Sequence, residues 1–218
     1  MRLYSGILNE IKNKEVKLYR TRKKRRLSNR DFTILASDCN GTFIYHDMGL
    51  PFLSPTINLT IGMQDFVKML ENPQWYMRQE FEEFKGESVC PVGILGDIRV
   101  NFIHYESFEA GVLKWNERKK RINWDNLFIV GSEKDGCTYE ILQRFDSLPY
   151  ENKVIFTHVS YPEFRSACYI KGFEKRGEMG TTINYRNRFF RRRYLDDFDY
   201  VAFLNQNAGK MGTDKKPV

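Results

Sequence analysis

Short apolar runs alternate with longer amphipathic segments along this chain. Runs rich in strand-forming residues lie at 31–36, 57–61, 91–95, 98–103, 127–131 and 153–157. Apolar residues recur at helical spacing within 43–48, 63–70, 107–120 and 138–145, and the aromatic and acidic segment 75–85 also has a helical pattern. Strands that alternate with helices predict an α/β fold: a three-layer α/β/α domain around a mixed, largely parallel sheet.

One folded domain is expected between two terminal segments. No Pro-, Gly- or Ser-rich linker divides residues 28–207, and a 41% hydrophobic composition is enough to bury a sizeable core. We therefore assign 1–27 to an N-terminal arm, 28–207 to the domain and 208–218 to a C-terminal tail. No stretch approaches the roughly 18 apolar residues of a membrane span, and the first residues lack the apolar centre of a signal peptide, so a cytoplasmic location is expected.

Positive charge is concentrated in the arm. The net charge is +7, but residues 1–30 contain 11 Lys or Arg and 2 Glu, for +9, which leaves −2 for the rest. Apolar residues recur near helical spacing at Leu3, Ile7, Ile11 and Leu18. The arm is therefore expected to form a basic amphipathic helix, with three interpretations open: packing on the domain, binding of residues 1–30 to an anionic membrane surface, or nucleic-acid binding. Nucleic acid is the least expected partner, because the arm offers only Tyr4 and Tyr19 for base stacking.

Candidate catalytic residues follow the predicted strands, since ligands of parallel α/β sheets bind beyond the carboxyl ends of the strands. This rule selects Ser37 to Gly41, Asp97, Glu133, Asp135 and His158. From this set we predict acid/base or nucleophilic roles for Asp38, Cys39, Asp97, Asp135 and His158. A helix N-terminus after Cys39 would lower the pKa of its thiol and make it a nucleophile; the alternative is a small buried cysteine.

The polar turn after the first strand also has the composition of an anion site. Backbone N–H groups of Asn40, Gly41 and Thr42 could bind a phosphate, although no nucleotide-binding fingerprint matches. Farther along, Trp115, Arg118 and Arg121 recur at threes on a predicted helix, and ion pairing at the surface is the alternative to substrate binding. We predict substrate contacts for Ser37, Asn40, Gly41, Thr42, Ser54, Trp115, Arg118 and Arg121.

No metal or cofactor site is indicated by the spacing of possible ligands. The four cysteines, Cys39, Cys90, Cys137 and Cys168, form no C-x-x-C pair, and the three histidines, His46, His104 and His158, have no ligand spacing. His104 lies in an apolar segment and is expected in the core. Asp197-Phe198-Asp199 has the D-x-D spacing of many glycosyltransferases, with an acidic turn beside Arg191-Arg192-Arg193 as the alternative. We expect no cofactor, and a divalent cation would have no ligand motif.

Several motifs together resemble those of one protein family. They include Ser37-Asp38-Cys39-Asn40-Gly41-Thr42, Gly49-Leu50-Pro51 with Ser54-Pro55-Thr56, Asp125-Asn126-Leu127-Phe128 and Phe198-Asp199-Tyr200-Val201. Over about 28–207 the chain resembles a bacterial family of unknown function found in exopolysaccharide and capsule gene clusters. That family more often has Asn-Cys-x-Gly-Gly in the first motif, so Asp38 and Thr42 depart from its pattern.

The resemblance implies a three-layer α/β fold and a role in making exopolysaccharide or capsular polysaccharide. It leads us to expect a glycosyl- or sugar-modifying transferase that acts on a nucleotide-sugar or a lipid-linked glycan at the inner face of the membrane. A non-catalytic, membrane-associated assembly factor for a transferase is the first alternative. A nucleic-acid-binding module is the second.

Overall fold

The structure, a computed structural model, describes residues 14, 16–186 and 192–206. Several residues used above therefore lie outside the described part of the chain: Leu3, Tyr4, Ile7, Ile11, Arg191 and the 208–218 tail. A helix over 16–26, α1, begins the described chain. The elements that follow are β1 (Thr33–Ala36), α2 (Asn40–Met48), β2 (Thr60–Ile61), α3 (Met63–Glu71), α4 (Pro73–Arg78), β3 (Phe81–Glu83), β4 (Val92–Leu95), β5 (Ile98–Asn101), α5 (Phe108–Lys119), β6 (Leu127–Ser132), α6 (Tyr139–Ser147), β7 (Lys153–Thr157), β8 (Ala167–Tyr169), a 3₁₀ turn (Tyr194–Asp197) and α7 (Tyr200–Leu204).

The strands form two four-stranded sheets. One is parallel, in the order β1-β6-β7-β8, and the other is antiparallel, in the order β2-β5-β4-β3. The α/β class predicted from the sequence is confirmed. The antiparallel pairs are separated from the parallel sheet because β4 and β5 are joined by the tight turn Gly96-Asp97, which only antiparallel neighbours can use.

Successive residues of the parallel strands face two separate hydrophobic cores. On one face, Leu35, Ile129 and Ile155 pack with α3, α6 and the antiparallel sheet. On the other, Phe128 and Phe156 pack with α2 and α7. The parallel sheet is thus buried on both sides, which explains why its strands read as continuous apolar runs.

Three segments differ from the sequence predictions. The segment 75–85 is not one helix, because α4 ends at Arg78 and the alternating residues of β3 then pair with β4. Strand β8 was not predicted, since it is only three residues long and half exposed. His104 is exposed rather than in the core: β5 ends at Asn101, and the Tyr105 N–H donates to the Phe102 carbonyl in a turn.

Helix α1 packs on the domain through ion pairs. Arg20 lies 3.0 Å from Asp47 of α2, Lys23 lies 3.0 Å from Asp196, and Arg26 pairs with Asp199. The acidic partners belong to α2 and to the C-terminal segment, so the described part of the arm connects two distant parts of the chain. No helix among the described residues is both long enough and apolar enough to cross a bilayer.

Candidate functional site

A polar cluster centred on Asp38 lies beyond the carboxyl ends of β1 and β6. The Asp38 carboxylate accepts hydrogen bonds from the Asn40 backbone N–H (2.9 Å) and the Ser132 hydroxyl (2.9 Å), and pairs with Lys134 Nζ at 3.0 Å. The Asn40 side chain donates to Ser132 at 3.1 Å and accepts from the Thr182 hydroxyl. Burial lowers the pKa of Lys134, but Asp38 raises it by more, so the ammonium stays charged.

A second cluster joins the ends of β6 and β7 through Glu133. Its carboxylate accepts from the His158 backbone N–H at 2.9 Å, lies 2.6 Å from His158 Nδ1 and accepts from the Tyr161 hydroxyl at 2.6 Å. A carboxylate can only accept, so Nδ1 carries the proton and Nε2 of a neutral imidazole carries the lone pair. This is the arrangement in which a histidine is oriented as a general base.

Three consecutive residues at the end of β6 connect the two clusters. Successive side chains along a strand point to opposite sides, and here Ser132 and Lys134 contact Asp38 while Glu133 contacts His158. A charged pair and a histidine–carboxylate pair are therefore held at one edge of the sheet.

The Cys39 thiol is a poor nucleophile in this environment. Burial raises the pKa of Cys39 to about 11, the Asp38 carboxylate adds to the rise, and Lys134 opposes it. Cys39 comes directly before α2, yet the neighbouring carboxylate and the loss of solvent outweigh the helix N-terminus. The protonated thiol is therefore the form present at neutral pH.

Alkylation with iodoacetamide should test this assignment of the thiol. We expect Cys39 to react much more slowly at neutral pH than Cys90, which follows the exposed segment 82–89, and to accelerate as the pH approaches about 11. Mass spectrometry of tryptic peptides resolves the two sites. Equal labelling of both cysteines at neutral pH would show that Cys39 is a thiolate.

The other predicted substrate-binding residues at 37–42 and Ser54 are mostly engaged in local packing and hydrogen bonds. An added Cβ at Gly41 would come within 3.0 Å of the Ala36 Cβ, so glycine allows α2 to pack on β1. The Thr42 hydroxyl accepts from the Asn58 N–H at 3.1 Å. Ser54 is fully buried, and its hydroxyl lies 3.1 Å from that of Thr56, which accepts from the Ala36 N–H. The Ser37 hydroxyl is buried without a hydrogen-bond partner among the described residues.

The three residues spaced along α5 have different surroundings. Trp115 is only 1% exposed and packs edge-on against Phe81, so it belongs to the core. Arg118 donates to the Tyr105 hydroxyl at 2.6 Å, and the exposed Arg121 approaches the Phe52 carbonyl at 3.5 Å. The two arginines therefore support the 52–57 loop.

Arg118 and Tyr105 contact the end of the 52–57 loop together. The Tyr105 hydroxyl donates to the Ile57 carbonyl at 2.8 Å, and Arg118 approaches the same carbonyl at 3.5 Å. Burial raises the pKa of Tyr105, and the Arg118 guanidinium opposes the rise.

Two predicted catalytic residues do not join these clusters. Asp97 is exposed in the turn between β4 and β5, where Tyr76 donates to it at 2.6 Å and Lys68 pairs with it at 3.0 Å. Asp135 is exposed with φ 54°, and its N–H donates to Glu178. Because Asp97 contacts α3 and α4, it lies in a different part of the fold from Asp38 and His158.

The acidic turn near the C-terminus is used for ion pairs. Asp197 pairs with Arg186 and with Arg192, while Asp199 caps α7 by accepting from the Ala202 N–H at 3.2 Å. Within the described ranges, no group of three or more His, Cys, Asp or Glu side chains is placed to hold a metal ion.

Four residues of the clusters were absent from the predicted site: Ser132, Lys134, Tyr161 and Thr182. Glu133 was selected by its position after a strand, but Asp135 was preferred to it. Strand alternation was the available signal, since it places Ser132 and Lys134 on one side and Glu133 on the other. Thr182 follows no predicted strand, and Tyr161 lies four residues beyond one, so only the folded chain shows that both reach this edge.

The fold and these clusters define a single-domain α/β protein with a polar site at the carboxyl edge of a parallel sheet. The chain belongs to the family described as a domain of unknown function, DUF1919, whose model matches residues 10–205. It is 42% identical over 182 residues to an uncharacterized protein of Haemophilus influenzae, an alignment that covers 84% of this chain and 88% of the relative.

Proposed function

We propose that this protein is a transferase that adds a group to a sugar hydroxyl, using a nucleotide-sugar or lipid-linked glycan as substrate. The observation that carries the proposal is the Glu133–His158 pair, with 2.6 Å between Oε2 and Nδ1. The polysaccharide pathway is proposed from the resemblance of the sequence motifs to the exopolysaccharide and capsule family.

In the proposed reaction, His158 Nε2 removes the proton of an acceptor hydroxyl. The hydroxyl oxygen attacks the anomeric carbon of the donor, a new C–O bond forms, and the bond from that carbon to the diphosphate breaks with its electron pair on the phosphate oxygen. Glu133 stabilises the imidazolium that forms, and Tyr161 fixes the other oxygen of Glu133. Lys134, with its side chain 23% exposed, supplies positive charge for the departing diphosphate.

Proposed membrane association is supported by the exposed basic residues that remain on α1. Lys17, Arg22 and Arg25 are exposed, whereas Lys23 is buried in a pair with Asp196. Each basic residue near an anionic bilayer contributes about 1 kcal/mol of attraction. The same charges also fit the alternative of a non-catalytic membrane-associated factor. That alternative does not require the Glu133–His158 pair.

A thermal-shift screen with nucleotide-sugars tests the proposal. The panel contains UDP-glucose, UDP-N-acetylglucosamine, dTDP-rhamnose and GDP-mannose, each beside its free nucleotide. A donor present at about 100 times its Kd adds about 2.7 kcal/mol of stability, which corresponds to a rise of roughly 5–10 °C in Tm for a chain of this size. Lys134→Met should reduce the shift, whereas Lys119→Met on the surface of α5 should preserve it.

Chromatography of the same mixtures measures release of nucleoside diphosphate. A donor that stabilises the protein and is turned over supports the transferase. The proposal is wrong if no donor stabilises the wild type and neither these donors nor undecaprenyl-diphosphate-linked sugars are consumed. A shift that Lys134→Met leaves intact would place donor binding elsewhere on the protein.

A further inference from the structure

A cationic groove lies between α1, the end of α2 and residue Tyr185, away from the Glu133–His158 pair. Its volume is about 470 Å³, within the range of small-molecule sites. The charged and polar residues in its walls are Lys17, Arg20, Thr21, Lys24, His46 and Tyr185. None of the described residues that line it is acidic.

The positive charge of this groove is only partly neutralised by the protein. Arg20 pairs with Asp47 through Nε at 3.0 Å, and its side chain stays 44% exposed. Among described carboxylates, none lies within ion-pair distance of Lys17 or Lys24. On the opposite side of α1, by contrast, Lys23 and Arg26 have carboxylate partners.

Gly49 has a specific part in shaping the groove. It ends α2 with φ 65°, and a Cβ at this position would come within 2.6 Å of Lys24 Nζ. Glycine is favoured here by the left-handed backbone, and a larger residue would displace the end of the Lys24 side chain. The glycine of the Gly49-Leu50-Pro51 motif thus leaves room for the Lys24 ammonium beside the groove.

We propose that this groove binds the phosphate or diphosphate group of an anionic ligand. Lys17, Arg20 and Lys24 supply the charge, and His46 and Tyr185 supply further hydrogen-bond donors. Three cations around one concave surface repel each other, and a phosphate relieves that repulsion through charge-assisted hydrogen bonds. This site is independent of the transferase proposal, since none of its residues belongs to the clusters at the sheet edge.

Isothermal titration of the full chain with inorganic pyrophosphate tests the groove. The Lys17→Ala/Lys24→Ala double variant should bind roughly tenfold more weakly or worse, because two charge-assisted contacts are lost. Lys85→Ala/Lys119→Ala, which removes the same charge from exposed or half-exposed positions elsewhere, should bind like the wild type. Arg20 is left unchanged because it also pairs with buried Asp47, and both variants should keep the wild-type Tm.

Vesicle flotation distinguishes the two sources of the phosphate group. If the ligand is a lipid headgroup, the wild type should float with phosphatidylglycerol vesicles, the groove variant should float much less than the charge-matched control, and none of them should float with phosphatidylcholine. Pyrophosphate binding without flotation identifies a soluble phosphorylated ligand. The proposal is overturned if the groove variant matches the charge-matched control in both experiments, or if the wild type binds neither pyrophosphate nor anionic vesicles.

Discussion

Replacing His158 with alanine is expected to reduce kcat of the transfer reaction by about 10²- to 10⁴-fold, the contribution of a positioned general base. The donor's Kd should change little, because the imidazole acts on the acceptor hydroxyl and not on the nucleotide. Steady-state rates of nucleoside diphosphate release measure kcat, and the thermal shift as a function of donor concentration measures Kd.

Glu133→Gln tests the effect of Glu133 on His158 while the histidine itself is retained. Glutamine retains an oxygen that can accept from Nδ1–H, but it has no charge to stabilise the imidazolium, so an intermediate loss in kcat is expected. Nitrogen-detected NMR should show the Nδ1–H tautomer of His158 in the wild type. A changed tautomer population in Glu133→Gln would demonstrate the contact without any substrate.

The matched control is His104→Ala, because His104 is exposed in the turn after β5 and contacts neither cluster. It should leave both kcat and Kd unchanged. A transfer rate in His158→Ala equal to that of His104→Ala would remove His158 from the mechanism. Transfer would then depend on another group, whereas no transfer by the wild type would favour the non-catalytic membrane factor.

Local sequence patterns contained more information about the parallel sheet than about the antiparallel sheet. Strands β1, β6 and β7 are buried on both faces, so their apolar runs stood out, and their polar termini pointed to Asp38, Asn40 and His158. The second sheet depends on which strands pair, and pairing is not encoded in the pattern of any one segment. Asp97 was therefore predicted at the wrong edge: it terminates a strand, but that strand belongs to the antiparallel sheet.

Helical periodicity likewise identified one face of α5, but it did not show how deeply each residue on that face is buried. Trp115, Arg118 and Arg121 follow one another at threes, yet their exposure rises from a buried indole to a half-buried and then an exposed guanidinium. The helix lies at the boundary of the core, so residues of one stripe differ in burial. Only the position of the helix on the sheet settles which of them can meet a substrate.

The sequence left three interpretations of the arm's charge open, and in the structure part of that charge is paired with carboxylates of the domain. Arg20 pairs with Asp47 near the end of α2. Lys23 and Arg26 pair with Asp196 and Asp199 in the C-terminal segment. The slightly negative domain and the positive arm thus complement each other. The basic residues without such a partner among the described carboxylates include Lys17 and Lys24 on the exposed side of α1.

Asp47 is the centre of this internal network, and Asp47→Ala is expected to destabilise the protein by about 3–5 kcal/mol. The aspartate is 1% exposed, pairs with Arg193 and Arg20, and accepts from the Tyr200 hydroxyl at 2.6 Å. Burial would lower the pKa of Arg193, but Asp196 and Asp47 raise it, so the guanidinium stays charged. Without Asp47 this buried cation keeps only Asp196, and the Tyr200 hydroxyl loses its acceptor.

Urea unfolding followed by circular dichroism measures the change in the free energy of unfolding. In a thermal melt, the Tm should fall by about 10 °C. Asp47→Asn keeps an acceptor for Tyr200 but removes the charge, so its loss should be smaller. Asp125→Ala is the control, since Asp125 is exposed in the loop before β6 and its change should stay within about 0.5 kcal/mol. Trypsin should also cleave within α1 sooner in Asp47→Ala, because Arg20 loses its partner on α2. If Asp47→Ala unfolds at the same urea concentration as Asp125→Ala, the network does not stabilise the contact between arm and domain.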